Sequence, residues 1–175
     1  MTLTFIQITL ESKFFSDAFS LYESSFPEDE RRTLAQLQKC FTNTNYRMNA
    51  YFLSDTFVGF VEYWIFNSFV YIEHIAVSVD YRGKSIGKQM MKNITSLNAP
   101  VFLEIELLVD ELTKKRYDFY KKLNFEIVNV QYFQPSYGEG KKSIELHLLA
   151  YNFNSKKEID RVIETIFSNV YRGLE

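Results

Sequence analysis

The chain has 175 residues, enough for one domain around a single core and too few for two of ordinary size. Its 20 Lys and Arg stand against 22 Asp and Glu, a net charge of −2, so no long-range positive field gathers nucleic acid or an anionic membrane. Hydrophobic residues at 46% and charged residues at 24% exclude a disordered or fibrous chain, and the single cysteine, Cys40, excludes an internal disulfide.

With only His74 and His147 besides Cys40, the sequence argues against a structural zinc site, and no metal is expected. The amino terminus, MTLTFIQITLESKFF, lacks a basic leader ahead of an apolar run, and no segment approaches about 18 uninterrupted apolar residues. Neither export nor a membrane span is expected, and a soluble cytoplasmic protein is. Aromatic residues, 17% of the chain, are read as core filling.

Residues 3 to 8 alternate as a strand. From Ser12 to Phe26 the positions of Phe15, Ala18, Phe19, Tyr22 and Phe26 predict a helix, ended by Pro27. A second helix is expected from about Glu30 to Phe41, with Leu34, Leu37, Gln38 and Phe41 on one stripe. Strand-like runs at 47–53, 57–66 and 69–79, joined at Ser54-Asp55 and Asn67-Ser68, predict an antiparallel meander. The loop YRGKSIG opens a helix from about Ile86 to Leu97, stopped before Pro100.

Val101 to Val109 reads as a buried strand, Glu111 to Leu123 as a helix and Phe125 to Phe133 as a strand. Right-handed crossover rules then make the strands flanking each of these helices near-parallel neighbours. The turn-rich QPSYGEGKK precedes a last strand at Ser143 to Tyr151. The tail from Ser155 to Leu174 is an amphipathic helix, docked on its own domain or, alternatively, on a second subunit in a homodimer. One domain over 1–175 is expected, with 152–175 as its C-terminal helical extension.

The most informative segment is YIEHIAVSVDYRGKSIGKQMMKNI, a strand, a glycine-containing turn and a helix start. A helix start offers unpartnered N–H groups and a partial positive charge, which together grip phosphate. The nucleoside-triphosphate loop is excluded, because Gly83 and Gly87 enclose three residues rather than four and Gln89 follows Lys88. The dinucleotide fingerprint fails at Ser85.

The segment resembles the pyrophosphate loop of the GNAT acetyltransferases, R/Q-x-x-G-x-G/A, opened by Arg82 with Ser85 and Gly87 in the two small-residue places. About thirty residues on, RYDFYKKLNFEIV resembles the family's A-x-x-F-Y-x-x-x-G-F element, with Arg116 for the small residue and Asn124 for the glycine. FPEDERR, LEIE, KRYDFY and QPSY extend the likeness to a bacterial subset of the family, covering residues 26 to 151.

The resemblance implies a mixed α/β (α+β) GNAT fold: a mostly antiparallel seven-stranded sheet with helices on both faces. It implies acetyl transfer from acetyl-CoA, as co-substrate, to a primary amine of a small molecule or peptide by direct attack in a ternary complex. A catalytically silent CoA-binding sensor or interaction module is the alternative. Cofactor contacts are implied at Ile75, Ala76 and Val77, at Arg82, Gly83, Lys84, Ser85, Ile86, Gly87 and Lys88, and at Thr113 and Tyr120. Tyr120 is implied to protonate the departing sulfur.

An amine with a pKa of roughly 10 arrives protonated, so the reaction needs a base. The family's habit on this strand favours Glu73, with a structural pairing to Arg116 or a neighbouring strand as the other reading. Alternation sends Glu73 and His74 to opposite faces, and His74 is read as a packed histidine, with a role as the base as the alternative. Glu104 and Glu106, on one face of the fifth strand, are rival bases or amine anchors, or structural partners of a nearby Arg or Lys; Arg31 and Arg32 would hold an acidic substrate group or lie on a solvated helix start, partly neutralised by Glu28, Asp29 and Glu30.

Overall fold

The computed structural model describes residues 2–138 and 140–172. Glu139 of the predicted loop and the end of the predicted tail helix at Leu174 lie outside them. In chain order the elements are β1 (Leu3–Gln7), α1 (Phe15–Ser25), α2 (Leu34–Cys40), β2 (Tyr46–Leu53), β3 (Thr56–Ile65), β4 (Val70–Val77), α3 (Ile86–Thr95), β5 (Val101–Glu106), α4 (Glu111–Lys121), β6 (Phe125–Gln134), β7 (Ile144–Tyr151) and α5 (Ile159–Ile166), followed by a π-helical turn at Phe167–Tyr171.

The seven strands form one sheet in the order β1-β2-β3-β4-β5-β7-β6. The β4–β5 pair alone is parallel, and it is short, with only Val70, Tyr71 and Ile72 registering against Val101, Phe102 and Leu103. Beyond Ile72 the two strands part, so the β4 edge from 73 to 77 that faces β5 has no ladder partner. One crossover expectation is corrected here: β5 and β6 are not neighbours, because β7 lies between them, antiparallel to both. The two strands still point the same way.

Helices cover both faces. On one side Ala18 and Tyr22 of α1, Leu37 and Cys40 of α2, and Val162, Ile166, Val170 and Tyr171 of the tail share a core with Phe60, Trp64 and Tyr71. On the other, Ile86, Met90, Met91 and Ile94 of α3 and Tyr120 of α4 pack on Val61, Ile72 and Leu103. The tail thus docks on its own sheet. Burial pushes the Cys40 thiol far above the ordinary range, as suits a packing residue rather than a nucleophile. No helix among the described residues is long and apolar enough to cross a membrane.

Element ends shifted where capping decided them. The second helix begins at Leu34 rather than Glu30, because Thr33 accepts from the Gln36 N–H while Gln36 accepts from the Thr33 N–H in a capping box. Residues 28–30 form a separate 3₁₀ turn. Asn124 takes the left-handed conformation at φ +63°, the role expected of it after α4.

Candidate active site

A bulge in β4 decides the geometry. Glu62 of β3 pairs with His74 and Tyr63 pairs with Ile72, leaving Glu73 as an extra residue without a partner in the register. Strict alternation is therefore broken, and the expectation that Glu73 and His74 face opposite ways is corrected: both carboxylates and the imidazole of Glu62, Glu73 and His74 lie within 4.8 Å of one another.

The Glu73 side chain is 0% exposed and is paired with Arg32 at 3.0 Å, itself 2% exposed. Its oxygens also accept from Trp64 Nε1 at 2.6 Å and from the Tyr137 hydroxyl at 2.8 Å. Arg32 stacks on Tyr137 and donates through Nη2 to the Val170 carbonyl at 2.6 Å. The carboxylate is thus out of solvent, ion-paired and committed to three hydrogen bonds, which fits a structural role. Arg32, one of the two arginines considered for an acidic substrate group, is buried and bonded through Nε and Nη2, while Arg31 reaches Glu23 at 3.2 Å.

His74 is held from both ends. Its Nε2 donates to the Glu30 carbonyl at 2.7 Å, and its Nδ1 meets the Glu62 carboxylate, which also accepts from the Tyr46 hydroxyl at 2.6 Å. Burial alone would lower its pKa, but the Glu62 charge and hydrogen bond outweigh that and raise it. With both ring nitrogens held in this way, neither is free to take a proton from a substrate. The same saturation leaves the Glu62, Glu73 and His74 atoms already spent on one another, on Arg32 and on phenols, a donor set that does not fit a metal ion.

Where β4 and β5 part, a cavity of about 540 Å³ opens between Glu30, Glu104, Glu106, Arg82, Arg116 and Tyr120. Glu106 is ion-paired with Arg116. Glu104 accepts from the Tyr132 hydroxyl and from the Tyr171 hydroxyl at 3.1 and 3.2 Å. Burial raises its carboxyl to about 7 although the phenols of Tyr132, Tyr71 and Tyr171 act in the opposite direction.

A second cavity of about 520 Å³ adjoins it, lined by Ile75 and Val77 of β4, the loop residues Arg82, Gly83, Ser85, Ile86, Gly87 and Lys88, and Phe119 and Tyr120 of α4. Tyr120 lines both cavities, and burial pushes its hydroxyl up to about 12. Ser85 adopts φ +59° and its side chain caps nothing. The first ladder bond into α3 runs from the Gln89 N–H to the Ser85 carbonyl, so the Ile86, Gly87 and Lys88 amides precede the ladder and face outward at the helix start. At Gly83, φ +74°, a Cβ would meet nothing within 4 Å, so the turn is open on its outer side. Backbone donors, a helix start and the flanking cations Arg82 and Lys88 fit a diphosphate.

Three residues of the implied cofactor set stand elsewhere. Ala76 lines the first cavity only. The Lys84 ammonium donates to the Asp80 carbonyl at 2.9 Å and lies over the Tyr81 ring. Thr113 is spent in the α4 capping box with Asp110. Residues the sequence reading did not single out, Glu62, Trp64, Tyr132, Tyr137 and Tyr171, complete the cluster. The one available signal was motif convergence: Arg32 from FPEDERR, Glu104 from LEIE and Tyr137 from QPSY all reach this spot.

The sequence profile of the acetyltransferase (GNAT) family matches residues 13–125. The chain belongs to the GNAT acetyltransferase family. A GNAT-family structure from Bacteroides thetaiotaomicron, proposed by its name to be an acetyltransferase, superposes with a TM-score of 0.89 at 29% identity over 96% of this chain and 98% of that one. Arabidopsis thaliana Naa50, in complex with the bisubstrate analogue CoA-Ac-MVNAL, shares the fold at a TM-score of 0.65 and 17% identity, over 87% of this chain and 100% of that one. The Bacillus subtilis protein YjbC, whose name proposes an acetyltransferase, is 33% identical over 63 residues, which is 35% of this chain and 33% of YjbC. The mixed, mostly antiparallel sheet with helices on both faces is the GNAT fold.

Proposed function

We propose that this GNAT protein transfers the acetyl group of acetyl-CoA to a primary amine of a small molecule or peptide, by direct attack in the gap between β4 and β5. The observation that carries the reading is the position of Tyr120 on both cavities, one lined by the loop and helix start that would hold a diphosphate and the other lined by Glu104. Bound acetyl-CoA supplies the acetyl group as an activated thioester.

The chain's own residues divide the remaining work. The Ile86, Gly87 and Lys88 amides and the Arg82 guanidinium hold the diphosphate. Main-chain groups of β4 between Ile75 and Val77 without a partner on β5 line the cofactor arm and meet the thioester carbonyl oxygen, the Val77 carbonyl accepting from Arg82 Nε at 3.1 Å. Glu104, with a carboxyl at about 7, is half ionised near neutral pH and accepts the amine proton, which matches a base to its working pH. Tyr120 stays protonated at that pH and donates to the departing sulfur. Glu73, sealed against Arg32, holds the floor of the site and moves no proton.

Free-thiol release from acetyl-CoA, measured with a panel of amines, tests this. We expect turnover with at least one amine, an acid limb in kcat/KM near pH 7, and a fall of about 10² to 10⁴ fold on Glu104→Gln. Tight CoA binding with no thiol released by any amine would instead identify a silent binding module.

A further inference from the structure

We propose that the C-terminal segment completes the acceptor side of the site, with Tyr171 as a positioning residue that holds the Glu104 carboxylate in the cleft. The inference rests on Glu104 acting in the proposed reaction, but the contacts themselves do not.

The tail reaches the cluster at two adjacent residues. The Val170 carbonyl accepts from Arg32 Nη2 at 2.6 Å, fixing the guanidinium that seals Glu73. The Tyr171 hydroxyl, on a side chain 5% exposed, lies 3.2 and 3.1 Å from the two Glu104 oxygens and 2.9 Å from the Tyr71 hydroxyl. One phenol thus spans both oxygens of the carboxylate and ties it to β4.

The backbone supplies the reason it can do so. In a regular α-helix, a residue five positions on from Ile166 is turned by about 140° away from it. Residues Phe167–Tyr171 form instead a π turn, closed by i→i+5 bonding, and such turns concentrate at functional sites. The wider turn brings Tyr171 back to the face of Ile166, and both are buried in the same core. An α-helical tail would bury Val162 and Ile166 equally well without delivering the phenol.

The groups facing the Glu104 carboxylate are Tyr71 and Glu73 from β4, Tyr132 from β6 and Tyr171 from the tail. Of these, the phenols favour the ionised form and Glu73 opposes it. Removing the Tyr171 hydroxyl therefore raises the Glu104 midpoint.

The test is a carbon-13 NMR titration of protein labelled at glutamate Cδ, without acetyl-CoA or amine, the signal being assigned by its loss in Glu104→Gln. Wild type should titrate near 7. Tyr171→Phe, which keeps the ring and its packing, should move that midpoint upward by about one pH unit, and the acid limb of kcat/KM should follow by the same amount. An unchanged midpoint in a folded Tyr171→Phe protein overturns the inference even if acetyl transfer is found. A shifted midpoint in a protein that acetylates no amine upholds the contact and overturns the proposed reaction instead.

Discussion

Glu73→Gln, Arg32→Met and the double substitution form a cycle that decides whether Glu73 is structural. The two side chains are 0% and 2% exposed and 3.0 Å apart. Removing one member of a pair so enclosed leaves an uncompensated buried charge, at a cost of roughly 3 to 5 kcal/mol. Glu73→Gln keeps a single acceptor oxygen, so either Trp64 Nε1 or the Tyr137 hydroxyl also loses its partner, and it strands the Arg32 cation, whose remaining anchor is the Val170 carbonyl. Arg32→Met leaves the carboxylate with two neutral donors, so its cost belongs near the lower end of that range. The double variant strands neither charge, and its loss should not exceed that of either single variant, giving a coupling of at least about 3 kcal/mol. Urea unfolding followed by circular dichroism reads all four proteins. The double variant should also keep turnover within about tenfold of wild type, whereas loss of a general base costs about 10² to 10⁴ fold. Single losses under about 1 kcal/mol, additive effects, or a collapse of turnover in a folded double variant would refute the reasoning.

Three further outcomes follow from other parts of the molecule. Tyr120→Phe should lower kcat while leaving CoA affinity nearly unchanged, because the hydroxyl serves the leaving sulfur and not the diphosphate; paired kinetics and calorimetry check it. Gly59→Ala should destabilise the protein by about 1 to 3 kcal/mol in a thermal melt, since its Cβ would overlap the Ala76 carbonyl oxygen, a backbone atom that cannot turn aside. Glu104 titrates higher folded than unfolded, so the native state binds more protons between about 4.5 and 7 and its stability should fall as pH rises across that window. Glu104→Gln should flatten that part of the stability profile.

The order and kind of the elements were legible because strands of alternating residues and stripes at three and four are local signals. The loop and its helix start were legible as well, since glycine spacing and the Arg82 position are written in consecutive letters. The facing of Glu73 relative to His74 was misread for a physical reason: a single bulge residue shifts the facing of everything beyond it, and alternation cannot reveal which residue a partner strand will skip. The insertion of β7 between β5 and β6 was hidden because pairing between distant strands leaves no mark on local periodicity. The tail helix was visible, yet its π turn was not, and so Tyr171 read as one more apolar position. Glu104 was legible as a rival base, but only burial among three phenols distinguishes it from Glu106, which is paired with Arg116 at the rim.

The most direct measurement is isothermal titration of the protein with coenzyme A, repeated at rising salt. Binding of one molecule per chain, weakening with ionic strength and weakened further by Arg82→Ala, is the result expected if the amides that open α3 hold its diphosphate. An absence of binding heat, confirmed by unmoved amide signals for Ile86, Gly87 and Lys88, would contradict the account at its base.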